Sequence, residues 1–395
     1  MSKVFVTGIG LISSLGDSVE SNRTALLNGL CGLSSLDLFE SKYASLLPFG
    51  EIKISTERLK ELLGITNSGV TRTSLLALHA CKDAIQDSKL STSELKSQRT
   101  AIVAANTVGG MCLTDELHRD ANRKDSGSAF LSSYDAGSVT IFLQNYFGIL
   151  GIGNTINTAC SSSANVLMHG ARLIKNGLAD RVIVGGVDSL AKFTINGFNS
   201  LHILSNERCT PFDRDRNGLN LGEGAAFLIL EKEEACAKKK VYAELSGYCN
   251  ANDAFHPSSL SDDGTGPFNS MQGALRIAKL EPNQIGYINA HGTATENNDL
   301  VESTAMIRLF GKVPPFASTK SYTGHTLGAA GSMEAVFSIL SLMYGELYPV
   351  LRFKNPIEKT GLTPLQIVTN SDPKHVMSNS FGFGGNCTSL IFSKA

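Results

Sequence analysis

The sequence predicts an α/β fold of two similar halves, with buried sheets between layers of helices. Short β-rich runs alternate with segments of helical spacing along the whole chain. The same order of motifs then returns in the second part. No low-complexity linker divides the two, so they are expected to share one core.

Taken in order, VFVTGIG (4–10), TAIVAAN (100–106), GNTINTA (153–159), RVIVGGV (181–187) and AAFLILE (225–231) read as strands. Apolar and small residues dominate these runs, as expected of strands covered on both faces. Between them, SLLALHACKDAIQDS (74–88) and ANVLMHGARLIKNG (164–177) show helical spacing, with Gly177 where the second helix would stop. YAELSGYCNA (242–251) restarts the strand pattern, and GYINAHG (286–292), PFASTK (315–320) and TSLIF (388–392) continue it. GEGAAFLIL (222–230) is echoed by GGNCTSLIF (384–392), and CSSSANVLMHGARLIKNG by GHTLGAAGSMEAVFSILSLMYG. The matching order predicts a pseudo-twofold relation between residues 1–240 and 241–395. The seam falls in EKEEACAKKK (231–240), which reads as a solvated helix face.

A chain of 395 residues, 42% apolar and 18% charged, can bury a large core. Its formal net charge of -1 offers no global field for nucleic acid, so no such partner is expected. The longest apolar stretch, AVFSILSLMY (335–344), is about half the ~20 residues of a membrane-spanning helix, so no membrane partner is expected either. The apolar run at the start reads as a first buried strand rather than a leader. Eight cysteines (31, 81, 112, 160, 209, 236, 249, 387) without CxxC spacing read as reduced thiols of a cytoplasmic protein, with neither a disulfide frame nor a metal site.

Cys160 stands where the strand GNTINTA should meet a helix beginning near Ser161. A sulfur at a helix N-terminus faces unpaired N–H groups, which favour the thiolate. The small neighbours Ala159, Ser161 and Ser162 allow a sharp strand-to-helix turn that would present the side chain. Taken alone, a cysteine reads first as a small buried apolar residue. Two histidines supply the context: His291 in INAHGTATENND and His325 in STKSYTGHTLGAAGS both follow a strand. In parallel α/β sheets that is the end where ligands meet the protein. The other six histidines lack this setting. SNSFGFGGNCTS (378–389) adds a glycine-rich loop able to turn backbone N–H groups toward a ligand.

With TACSSSAN around Cys160, CTPFDRDRNGLNLGEGAAFLILE (209–231), NAHGTAT around His291, KSYTGHTLGAAGSME and NSFGFGG, the chain resembles the β-ketoacyl-[acyl-carrier-protein] synthases along essentially its whole length. The elongating type is the closest match. The resemblance implies a thiolase-like fold, two α/β halves in five layers (αβαβα). It also implies a dimer, either a homodimer or a heterodimer with a second ketosynthase-like subunit. Substrates would ride on the phosphopantetheine of acyl carrier protein, with no free cofactor.

The implied reaction is a decarboxylative Claisen condensation with Cys160, His291, His325 and Lys320 as catalytic residues. Cys160 takes the acyl chain, and the N–H groups of Cys160 and Phe383 form the oxyanion hole. His325 holds the malonyl thioester oxygen and His291 assists decarboxylation. Glu334, Asp299 and Glu302 are implied supports, with a Lys320–Glu334 ion pair. Thr293 and Thr295 would hold the arm, and Phe198, Phe383, Val108 and Met111 would line the acyl pocket. Arg208 is a basic candidate for carrier docking.

Two departures stand out. Glu296, with Asn297 and Asn298, stands where the family commonly has Pro, and Asn386–Cys387 where it has Thr-Asn. Both point to a specialised synthase, for instance one of polyene or other polyketide assembly. Two competing readings remain, a non-catalytic chain-length subunit and a thiolase. The first lacks the nucleophile. The second needs another catalytic cysteine near the C-terminal glycine loop, where Cys387 is offset.

Overall fold

A computed structural model describes residues 3–237 and 239–395. The first half supplies strands β1 (Val4–Ser13), β2 (Thr100–Ala105), β3 (Gly153–Ile156), β4 (Arg181–Asp188) and β5 (Gly224–Lys232). The second supplies β6 (Ala243–Asn252), β7 (Tyr287–Asn289), β8 (Phe316–Ala317), β9 (His375–Gly382) and β10 (Asn386–Ser393). All ten form one hydrogen-bonded sheet in the order β3-β2-β4-β5-β1-β6-β10-β9-β7-β8. Read from either edge to the middle, each half runs third, second, fourth, fifth, first. The pairing senses match as well: β2 lies parallel to β3 and β4, as β7 does to β8 and β9. The halves meet where β1 pairs antiparallel with β6 over Phe5↔Glu244 and Val6↔Ala243.

Helix α1 (Arg72–Asp87) covers the outer face of the first half, against β1, β4 and β5. Two central helices, α2 (Ser162–Lys175) and α3 (Ala330–Tyr344), touch each other and strands of both halves. Helix α4 (Thr265–Ala278) covers the outer face of the second half, against β6 and β10. The result is the five-layered thiolase-like arrangement. The inner strands β1, β4 and β5 are therefore dry on both faces. In β5, Ala226, Leu228 and Leu230 enter the central core while Ala225, Phe227 and Ile229 enter the outer one. That is why its sequence is a continuous apolar run rather than an alternation. The outer helix lies close: a Cβ on Gly10 of β1 would sit 2.0 Å from the Ala80 carbonyl oxygen of α1.

Several sequence expectations are corrected. The strand predicted over 315–320 holds only at Phe316–Ala317, because Lys320–Thr323 forms a helical turn. His325 therefore follows that turn rather than a strand. The charged run 231–240 is not a helix: β5 ends at Lys232, and Glu233–Ala235 forms a single 3-10 turn (Lys238 lies outside the described residues). Glu231 is fully buried, held by Arg181, Lys239 and the Thr7 hydroxyl. The apolar character at 335–344 extends back to Leu327, giving 18 residues long and apolar enough to cross a membrane. In the fold, 89% of that segment is buried as the central helix.

Candidate active site

Strand β3 ends at Ile156, and within a few residues the chain must enter α2 in the opposite direction. It does so through Ala159, whose φ of 53° is left-handed, a region costly to side chains. The Ser162 hydroxyl holds this turn, accepting from the Thr158 N–H at 2.8 Å and donating to the Ala159 carbonyl at 2.5 Å. Cys160 sits at its apex. The backbone N–H groups of Cys160 itself and of Phe383 lie on the sulfur's side and favour its thiolate. Phe383 lies on the glycine loop joining β9 to β10, and a Cβ on Gly382 would stand 2.6 Å from the Thr158 carbonyl oxygen. Glycine is what lets the loop seat against the turn.

Burial raises the Cys160 thiol to about 11, outweighing the Lys320 charge and both N–H groups. The thiolate expected from the helix terminus is overruled by desolvation, and the resting group is a thiol.

His291 is fixed at three points. Its N–H donates to Glu302 at 2.9 Å, its carbonyl accepts from Lys320 Nζ at 2.6 Å, and its Nδ1 lies 3.2 Å from the same ammonium. Lys320 also donates to Glu334 Oε1, so its three protons meet three buried acceptors. A ring nitrogen facing an ammonium must accept, which places the His291 proton on Nε2. For His325, the Leu327 N–H donates to Nδ1 at 3.2 Å, which again leaves the proton on Nε2. Burial and the Lys320 charge push both imidazoles well below their ordinary value, so both are neutral. The rings stand edge to face with centroids 5.4 Å apart.

Cys160, His291 and His325 line one cavity of about 540 Å³ with Phe198, Phe381 and Phe383. The rings of Phe198 and Phe383 stack at 5.7 Å, and Phe381 lies 5.7 Å from the His291 ring. Leu201, Ile203 and Leu219 make an apolar end; Ser258, Ser259, Thr293, Thr295 and Asn297 make a polar one. The Thr293 and Thr295 hydroxyls share a 2.8 Å hydrogen bond. Asp299 accepts from the Phe212 and Ala294 N–H groups, and Glu302 from those of His291 and Gly292. Among the described residues, no group of three or more metal-binding side chains occurs.

Val108 and Met111 do not line this cavity, contrary to expectation. Asp188 accepts the Val108 N–H at 3.1 Å and turns that residue into an apolar cluster with Leu190, Ile195 and Leu327. Met111 opens onto a separate cleft beside Phe39 and Phe193. Arg208 is exposed on another shallow pocket, with Pro48 and Asn206. Glu296 is exposed on the cavity wall, and its carbonyl accepts from Arg216 at 2.6 Å. The Asn386 side-chain oxygen Oδ1 accepts from Ser161 Oγ, Asn165 Nδ2 and Asn250 Nδ2 at 2.6–2.8 Å, tying β10 to the Cys160 turn. Asp188, Phe381 and Leu219 went unread in the sequence. For Asp188 the available signal was a carboxylate closing the apolar run RVIVGGVD.

The family profiles for the β-ketoacyl synthase N-terminal and C-terminal domains match residues 1–235 and 242–354. The chain belongs to the β-ketoacyl synthase family. It is 32% identical to the 3-oxoacyl-[acyl-carrier-protein] synthase 2 of Vibrio cholerae, over 99% of each chain. It is also 32% identical to the mitochondrial 3-oxoacyl-[acyl-carrier-protein] synthase of Arabidopsis thaliana, over 99% of this chain and 93% of that one. Among solved structures, the ketosynthase ApeO in complex with its chain length factor ApeC, from Xenorhabdus doucetiae, superposes with a TM-score of 0.86. That match is 31% identical and covers 100% of this synthase and 98% of that chain. The ishigamide ketosynthase/chain length factor gives a TM-score of 0.92 at 26% identity, over 100% of this chain and 99% of that one.

Proposed function

We propose that this synthase condenses an acyl group with malonyl-[acyl-carrier-protein], giving a 3-oxoacyl product two carbons longer. The observation that carries the reading is one cavity holding a thiol and two neutral imidazoles that both present Nε2–H. In the first half-reaction Cys160 takes the acyl group from the phosphopantetheine thioester and frees the arm's thiol. The N–H groups of Cys160 and Phe383, both of which favour negative charge at the sulfur, stabilise the oxyanion. In the second, malonyl thioester loses CO2, and negative charge builds on its thioester oxygen. His325 and His291 donate to that oxygen from neutral rings, with His325 as the main donor. The carbanion then attacks the Cys160 thioester, forming the carbon–carbon bond and releasing the sulfur.

Lys320 and Glu334 position His291, and Asp299 and Glu302 hold its loop. Thr293 and Thr295 face the arm, and the Phe198–Phe383 stack gates the acyl end. Substrates arrive on carrier protein, and no free cofactor takes part. Incubation with malonyl-carrier protein and a panel of acyl-carrier proteins should yield products lengthened by two carbons, read by mass. No extended product from any donor would refute the reading.

Two of the structural neighbours are ketosynthase and chain length factor pairs. Cys160 and both histidines assign this chain to the catalytic role in any such pair. Strand β3 pairs with β2 along one side and forms the first edge of the sheet, and Ile141, Leu150 and Ile152 beside it are exposed. We assign this edge to a partner subunit, most simply a second copy. Ile141→Asp combined with Ile152→Asp should convert the dimer to monomer in sedimentation velocity, and an unchanged dimer would move the interface elsewhere. The eight free cysteines fit a reducing, cytoplasmic setting.

A further inference from the structure

We propose that Asp188 is a positioning residue for His325, acting through the backbone turn that fixes the imidazole tautomer. Its carboxylate ends β4 and is completely buried. Oδ1 accepts the Thr107 and Val108 N–H groups, each at 3.1 Å. Oδ2 accepts the Thr107 hydroxyl at 2.6 Å and the Gly328 N–H at 2.7 Å. One carboxylate thus joins the loop after β2 in the first half to the turn after His325 in the second.

That turn needs holding. Leu327 has a φ of 52°, a left-handed conformation a leucine does not adopt unaided. It is the Leu327 N–H that donates to His325 Nδ1, leaving Nε2–H for the cavity. Asp188 pins the next residue, Gly328, where there is no slack: a Cβ there would lie 2.7 Å from Oδ2. Release of Gly328 lets Leu327 relax, turns its N–H away, and frees His325 to carry its proton on either nitrogen. Asp188 also acts on the nucleophile in the opposite direction, because its charge raises the Cys160 thiol.

The two effects give the test, which rests on the assignment of decarboxylation to His325. In Asp188→Asn, every neighbour of the carboxylate is a donor, so the new NH2 faces a donor and one anchor is lost. Malonyl-carrier protein decarboxylation should fall about tenfold, the rate equivalent of roughly one buried hydrogen bond. Alkylation of Cys160 by iodoacetamide at pH 8 should become faster, since a negative charge has left while Lys320 and the two N–H donors remain. A merely structural loosening would also admit water to the sulfur and speed alkylation, but it would slow acyl transfer to Cys160 as well, so a parallel decline of decarboxylation and acyl transfer overturns the proposal, as does an unchanged decarboxylation rate.

Selective 15N-histidine spectra should show the His325 Nε2–H tautomer in the parent and a mixture in the variant; an unaltered spectrum overturns it too. If Asp188→Asn does not fold, Thr107→Val removes one donor from the Oδ2 that holds Gly328. It should slow decarboxylation about threefold without slowing acyl transfer to Cys160, a loss of under about 1 kcal/mol. An equal effect on both steps, or none, overturns the proposal. His325→Ala is the control: if it keeps decarboxylation, the functional assignment has failed rather than the clamp.

Discussion

Cys160→Ala is expected to abolish condensation, by a factor on the order of 10⁴ or more, while malonyl decarboxylation continues at a measurable rate. The split follows from the geometry. Carbon–carbon bond formation needs an acyl group on the sulfur, whereas decarboxylation draws on the two Nε2–H donors, which alanine leaves in place. Product mass and CO2 release measured on one sample separate the steps. Condensation retained at the parental rate would show that another group carries the acyl chain.

The same sulfur predicts a pH profile for the parent enzyme. With its thiol raised to about 11 by burial, only about one molecule in a thousand holds a thiolate at pH 8. Alkylation should therefore climb roughly tenfold per pH unit between pH 7 and 9. A plateau near neutrality would mean that water reaches the sulfur at rest and that desolvation is not the ruling influence.

The contrast between what the sequence shows and what it hides follows from the reach of each interaction. Cys160, His291 and the strands around them were legible because each is a local pattern: an apolar run, then small or glycine residues at its end. The twofold relation was legible in the paired echoes at 222–230 and 384–392, which form β5 and β10, the fifth strands of the two halves. The fate of 231–240 was not. Glu231 looks like a surface charge, and only its meeting with Arg181, 50 residues away, makes it a buried strand residue. Val108 misled for a similar reason. Its sequence neighbourhood resembles a pocket wall, but the carboxylate that directs it, Asp188, lies 80 residues further on. The protonation of Cys160 was misread because a helix terminus is visible in sequence while full burial is not.

Lys320→Ala should cost about 3–5 kcal/mol of stability and most of the decarboxylation rate, because it strands a charge and frees a ring at once. Glu334 Oε1 has the ammonium as its hydrogen-bond partner, and Oε2 is buried without any. With the cation gone, the carboxylate must take up a proton or admit water. For a chain of this size the melting temperature should fall by roughly 5 °C.

The pH dependence distinguishes this cause from a simple loss of packing. Burial already raises the Glu334 carboxyl to about 7, and removing Lys320, which lowers it, raises it further. Between its unfolded value and this folded one, the native state holds the extra proton, so stability falls as pH rises through that window. The window is wider in the variant. Its penalty, measured by urea unfolding, should therefore be larger at pH 8 than at pH 6.

Glu334→Gln added to Lys320→Met should recover much of the stability, since neither side chain then carries a charge. It should not recover decarboxylation, because no donor faces His291 Nδ1 and the ring proton is no longer confined to Nε2. A double variant that regained both would show that Lys320 serves packing alone. A penalty equal at both pH values would show that Glu334 is not the group left stranded.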